Sequence, residues 1–189
     1  MKYFTKESYR ASNSRALTKA QRQVIDRRFL RNCKAYSKQL EKLRGRISRQ
    51  AWNFFYFGFG RWGLHDACLL SFAAGDGLDH PCDGRVPFRY NREKAKVRIL
   101  ILNRHQNLLC AFECRDILRA IFDYPTDDPL WDTDRLDHLL TYELTAVNGR
   151  LLRLEFLFDS GATILVEFDR LIFRRRRVRR QFPIEAMWS

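Results

Sequence analysis

The stretch Arg61-Trp62-Gly63-Leu64-His65-Asp66-Ala67-Cys68 places an imidazole next to a carboxylate. Such a pair serves as an acid–base couple or as half of a metal site. Here it reads as the head of a strand over 64–73, where neighbouring side chains point to opposite faces. On a regular strand the two would not reach one ion. A phosphohydrolase built on such a pair also needs further His and Asp ligands on helices, and none is suitably placed. The expectation is that Asp66 hydrogen-bonds at the start of the strand and His65 packs at its edge.

The other chemistry-bearing residues are read in the same way. Cys110 and Cys114, with Cys82, His80 or His105, offer zinc ligands, but their spacing is not that of the knuckle pairs of structural zinc. On a strand, positions 110 and 114 share a face about 13 Å apart, too far for one tetrahedral ion. Buried free thiols are expected. Asp127, Asp128, Asp132, Asp134 and Asp137 lack the glycine and closing glutamate of a calcium loop, and read as a solvated acidic loop. Ser71 and Ser160 sit in no G-x-S-x-G elbow. Phosphate-loop and dinucleotide glycine patterns are absent. The sequence therefore predicts no catalytic residue, no metal ligand and no cofactor.

Cations carry the most specific signal. Arg27, Arg31, Lys34, Lys38, Lys42 and Arg49 fall within a wedge of about 80° on a helix, opposite an apolar stripe. The stripe is Ile25, Phe29, Cys33, Tyr36, Leu40, Leu43 and Ile47, at steps of three and four. If the stripe docks, the cations form a solvent-facing ridge suited to a phosphate backbone or an acidic protein. A simple solvated helix face gives the same pattern. Arg174, Arg175, Arg176 and Arg177 open a second basic segment, "RRRRVRRQFPIEAMWS".

Two kinds of element must carry these residues. The sequence predicts a long helix over 14–50, capped by Asn13 or Ser14, that Gly45 bends or divides. Trp52, Phe54, Phe55, Tyr56, Phe57, Phe59 and Trp62 follow, broken by glycines. They read as a helix end turning into a loop that plugs the body, or as a base-stacking platform. The period then changes to two. Runs at 96–102 and 107–115 flank Asn103-Arg104-His105-Gln106 as a hairpin. Strands on either side of Asn148-Gly149, and a turn at 159–162, predict a three-stranded meander over 139–173. Phe156 and Phe168 should be buried there, with Glu155 and Glu167 exposed. The expected fold is α+β: a helical arm packed on a largely antiparallel curved sheet or small sandwich. The expected division is a basic helical arm with an aromatic plug (1–63), a β-rich body (64–173) and a basic tail (174–189).

The charge follows this division. The formal net charge is +13, but residues 1–50 carry +12 and residues 64–173 carry −5. Arg outnumbers Lys by 27 to 8, a bias that a GC-rich genome produces without function. No apolar run reaches the roughly 18 residues of a membrane span. The opening has no apolar core of a signal peptide. An odd set of cysteines, five in all, reads as reduced thiols, so a cytoplasmic protein is expected.

The opening "MKYFTKESY" and the step Leu64-His65-Asp66-Ala67 resemble an uncharacterised bacterial family, domain of unknown function 4085. The resemblance implies a helical segment followed by a β-rich remainder. It implies no activity. Arg content and Ser8 depart from the family's pattern. The expected role is a non-catalytic protein-binding module with a protein partner, by analogy the immunity side of a toxin system. The alternative is a nucleic-acid-binding accessory protein using arm and tail, and a metal-dependent hydrolase stands third.

Overall fold

Thr18 starts the longest helix, in a computed structural model that describes residues 1–13, 17–58, 63–75, 78–79, 89–90, 95–124 and 138–178. Its hydroxyl accepts from the Gln21 backbone N–H while the Gln21 side chain accepts from the Thr18 N–H. This reciprocal cap satisfies two helix-end donors at once. The helices are α1 (Lys6–Asn13), α2 (Lys19–Glu41) and α3 (Arg49–Phe57). The helix expected over 14–50 is thus corrected at its start, and of the two effects expected of Gly45 it is division that occurs. The cap is Thr18 rather than Asn13 or Ser14. After residue 41 the chain turns through Gly45, whose φ of 91° favours glycine, and Ser48 caps α3 by accepting from the Ala51 N–H.

The strands are β1 (Cys68–Gly75), β2 (Leu78–Asp79), β3 (Arg89–Tyr90), β4 (Lys96–Leu102), β5 (Leu108–Asp123), β6 (Leu139–Ala146), β7 (Leu152–Phe158) and β8 (Thr163–Arg177). Six of them form one antiparallel sheet in the order β1-β4-β5-β8-β7-β6, not closed into a barrel, and β2 pairs with β3 separately. The fold is α+β, with helices packed on this sheet. Bulges between Leu69 and Ser71, Ile117 and Arg119, and Leu139 and Thr141 bend it. The strand expected over 64–73 begins only at Cys68, because Asp66, at φ 60°, turns the chain just before it.

The meander is β6-β7-β8. Asn148 shapes its first turn by accepting from the Arg150 and Leu151 N–H groups. Phe156 and Phe168 are fully buried. They pack with Phe112, Phe158, Ile164 and Val166 in one core that α3 completes through Phe54 and Phe55. The Phe54 ring lies 4.5 Å from Phe173 and 5.5 Å from Tyr142. Gly58 ends α3 against the sheet; a Cβ there would stand 2.9 Å from the Tyr142 hydroxyl.

Glu155 and Glu167 were expected to face solvent, and both are buried. Their face of the meander is covered as well. The Met1 ammonium pairs with Glu155, and Arg153 with Glu167. Next to Glu155 across the ladder, buried Glu143 accepts from the backbone N–H groups of Lys2, Tyr3 and Phe4. The first four residues therefore lie as a strap on the polar face of β6 and β7. Alternation correctly assigned the faces, but the cover over Glu143 and Glu155 comes from residues over a hundred positions away.

Candidate functional site

α2 is held to the body by its C-terminal half. Tyr36 and Leu40 are buried, as are Leu43 and Ile47 in the turn that follows. The Tyr36 hydroxyl accepts from the Leu144 N–H at 2.9 Å, so α2 closes an outward-facing donor of edge strand β6. Burial pushes the Tyr36 phenol well above its ordinary range. The N-terminal half is less covered than the stripe predicts. Ile25 and Cys33 are half-buried, and Phe29, half exposed, leans on Phe4 with ring centroids 5.8 Å apart. Val24 and Leu30 are exposed.

Docking the stripe turns the cations outward. Arg27, Arg31, Lys34, Lys38 and Lys42 are all exposed on one side of α2. Together they extend about 22 Å at 1.5 Å per residue. Arg49 is exposed too, but on α3, after the turn, so it does not continue the same helical row. Among the described residues none of these six makes an ion pair. Lys38 in the last turn also complements the helix dipole.

Where α2 passes into α3 there is an open cleft of about 700 Å³, lined by Arg44, Ile47, Arg49, Trp52, Asn53 and Phe57. The Arg44 guanidinium lies 5.3 Å from the centre of the Trp52 ring, and Tyr56 stacks on the same indole at 4.4 Å. Phe57 is exposed at the rim. Arg46, between these groups, reaches the Asn148 and Arg150 carbonyls and so ties the turn to the β6-β7 hairpin. Sequence reading named the aromatics and Arg49 but not Arg44. The cleft exists only because the helix breaks at Gly45.

The other predicted residues are dispersed. Arg174, Arg175, Arg176 and Arg177 do not begin a tail. They finish β8, opposite Ala111, Cys110, Leu109 and Leu108, so their side chains alternate between two faces. This ladder fixes them on an element separate from α2. Residues 179–189 and the acidic positions 127–137 lie outside the described residues, as do His80, Cys82, Phe59 and Trp62.

His65 and Asp66 occupy a turn, and their side chains face each other at 3.6 Å. The expectation that they point apart assumed a regular strand, and the left-handed backbone at Asp66 removes it. Asp66 is instead bound by Arg104 at 2.9 Å, and His65 Nδ1 lies 3.0 Å from the Leu140 carbonyl. Cys110 and Cys114 are buried free thiols on β5. Burial pushes Cys110 up to about 12 and raises Cys114 as well, so neither offers a thiolate near neutrality. Among the described residues no three His, Cys, Asp or Glu side chains are grouped to hold a metal ion, and no helix is long and apolar enough to cross a membrane. No family model matches this chain, and no curated protein or solved structure matches it.

Proposed function

We propose that this protein is a non-catalytic binding protein that engages an anionic partner through the exposed face of α2. One observation carries the reading: Arg27, Arg31, Lys34, Lys38 and Lys42 form a continuous exposed row with no acidic partner among the described residues. Charges that serve only solubility need no common row, whereas a row matches the spacing of a polyanion and steers its approach. The favoured partner is a protein with an acidic surface. Val24 and Leu30 are exposed beside the cations, and exposed apolar side chains next to charge suit a protein surface better than a phosphate backbone, which offers no apolar contact.

A second reading, single-stranded nucleic acid, is supported by the cleft beside Trp52. Arg44 and Arg49 there suit phosphate, and exposed Phe57 offers a face for a base. The resemblance to domain of unknown function 4085 adds an architecture to either reading and no activity.

Retention of the full chain on immobilised heparin tests the shared claim. The protein should hold beyond roughly physiological salt, about 0.15 M, and Arg31→Glu/Lys34→Glu/Lys38→Glu should pass through. If the partner is protein, material bound from extract should survive nuclease treatment and be lost on Val24→Asp/Leu30→Asp. Loss on nuclease treatment would favour the second reading.

A further inference from the structure

We propose that Cys68 and His138 form a reactive thiol site that exchanges with low-molecular-weight disulfides. Cys68 Sγ lies 3.8 Å from His138 Nδ1, although the two are 70 positions apart. The backbone that joins them is well tied. The Asp66 N–H donates to the Leu139 carbonyl at 2.9 Å and the Leu139 N–H to the Ala67 carbonyl at 2.8 Å. The Asp159 N–H donates to the His138 carbonyl at 2.9 Å. Ala67 and Leu139 are fully buried between these bonds, and Cys68 and His138, the next residue along each strand, are both exposed. Thiol and imidazole are therefore presented together on the surface, where the two edge strands of the sheet approach each other.

The remaining described cysteines lack this arrangement. Cys110 and Cys114 are buried with raised thiols, and burial also raises half-buried Cys33. His65 is not a competing partner for Cys68, since its Nδ1 is engaged at the Leu140 carbonyl.

The chemistry is thiol–disulfide exchange. The Cys68 S–H proton moves to His138 Nδ1, and the thiolate attacks one sulfur of the incoming disulfide. A new S–S bond joins Cys68 to that half. The old S–S bond breaks, and the departing thiolate takes the proton back from His138. The co-reactant is a small disulfide such as glutathione disulfide, and no net oxidation occurs beyond exchange.

The test is incubation of the full chain, in a Cys82→Ser background, with glutathione disulfide, followed by intact mass and peptide mapping. One mixed disulfide should form on the folded protein, at Cys68. His138→Gln should slow it by roughly tenfold and leave a rate that rises with pH only as the thiolate fraction of an unassisted thiol does. Since both side chains are exposed, circular dichroism of His138→Gln should match wild type. Modification of Cys33 ahead of Cys68, or an unchanged rate and pH profile in His138→Gln, would overturn the proposal. Limiting iodoacetamide in the same background gives an independent reading: Cys68 should be alkylated ahead of Cys33, Cys110 and Cys114, and any other order contradicts the site.

Discussion

The Glu143 carboxylate, with no exposed surface, accepts a hydrogen bond from the backbone N–H of Phe4, 139 positions earlier in the chain. The same carboxylate accepts from Lys2 and Tyr3. A buried charge is tolerated only when it is fully bonded, and these N–H groups supply that bonding. They also place Phe4 against Tyr36, with ring centroids 5.5 Å apart, so the strap braces α2. Glu143→Gln sets an amide against three donors. It should cost about 2–3 kcal/mol in urea denaturation and speed hydrogen exchange at Phe4. Unchanged exchange there would remove the strap from the account.

Phe156 tests the core. Its ring is fully buried and meets Phe112 edge-on at 5.4 Å. Phe156→Ala should lower stability by about 3–5 kcal/mol. A thermal melt equal to that of wild type would show that the register of β7 is wrong.

Glu113 ties stability to pH. Burial pushes its carboxyl up, but hydrogen bonds and attraction from Arg115 and Arg98 outweigh burial and hold it below the usual range. A depressed folded value means stabilisation that is fully present above the unfolded value of about 4.3 and is lost as pH falls through the folded one. Glu113→Gln should therefore cost about 1–2 kcal/mol at neutral pH, modest because both arginines keep contact with water. The difference from wild type should shrink as pH falls below about 4. A constant difference from neutral pH into acid, measured by urea denaturation, would contradict this assignment.

Much of the sheet was legible because alternation and turn residues are local signals. Leu152 to Phe158 alternate, and Asn148-Gly149 marks the turn before them. The helical break is legible through Gly45, and the start of α2 through Thr18 and Gln21, which stand at capping-box spacing. Glu155 and Glu167 misled because a polar residue on an alternating strand normally faces water; the strap that covers Glu155 is distant in sequence, and Glu167 is covered by its cross-strand partner Arg153. Asp66 misled because a left-handed residue leaves no periodic trace. The Cys68–His138 contact had no sequence signal at all, since it depends on the Ala67–Leu139 bridge between edge strands. The cationic row was legible from spacing alone; its separation from Arg49 and from Arg174–Arg177 was not, because each lies beyond an element boundary.

We propose that the face of α2 from Arg27 to Lys42 binds polyanions, which is tested by fluorescence anisotropy of the full chain with labelled single-stranded RNA, and with labelled heparin, at low and at physiological salt. Binding at low salt should weaken by more than about tenfold between the two conditions, because each neutralised phosphate or sulfate releases counterions. Arg31→Glu/Lys34→Glu/Lys38→Glu should abolish it with the melting curve unchanged. No binding of either polyanion at low salt, or equal binding by the charge-reversed variant, would contradict the account and leave the row as a solvated helix face.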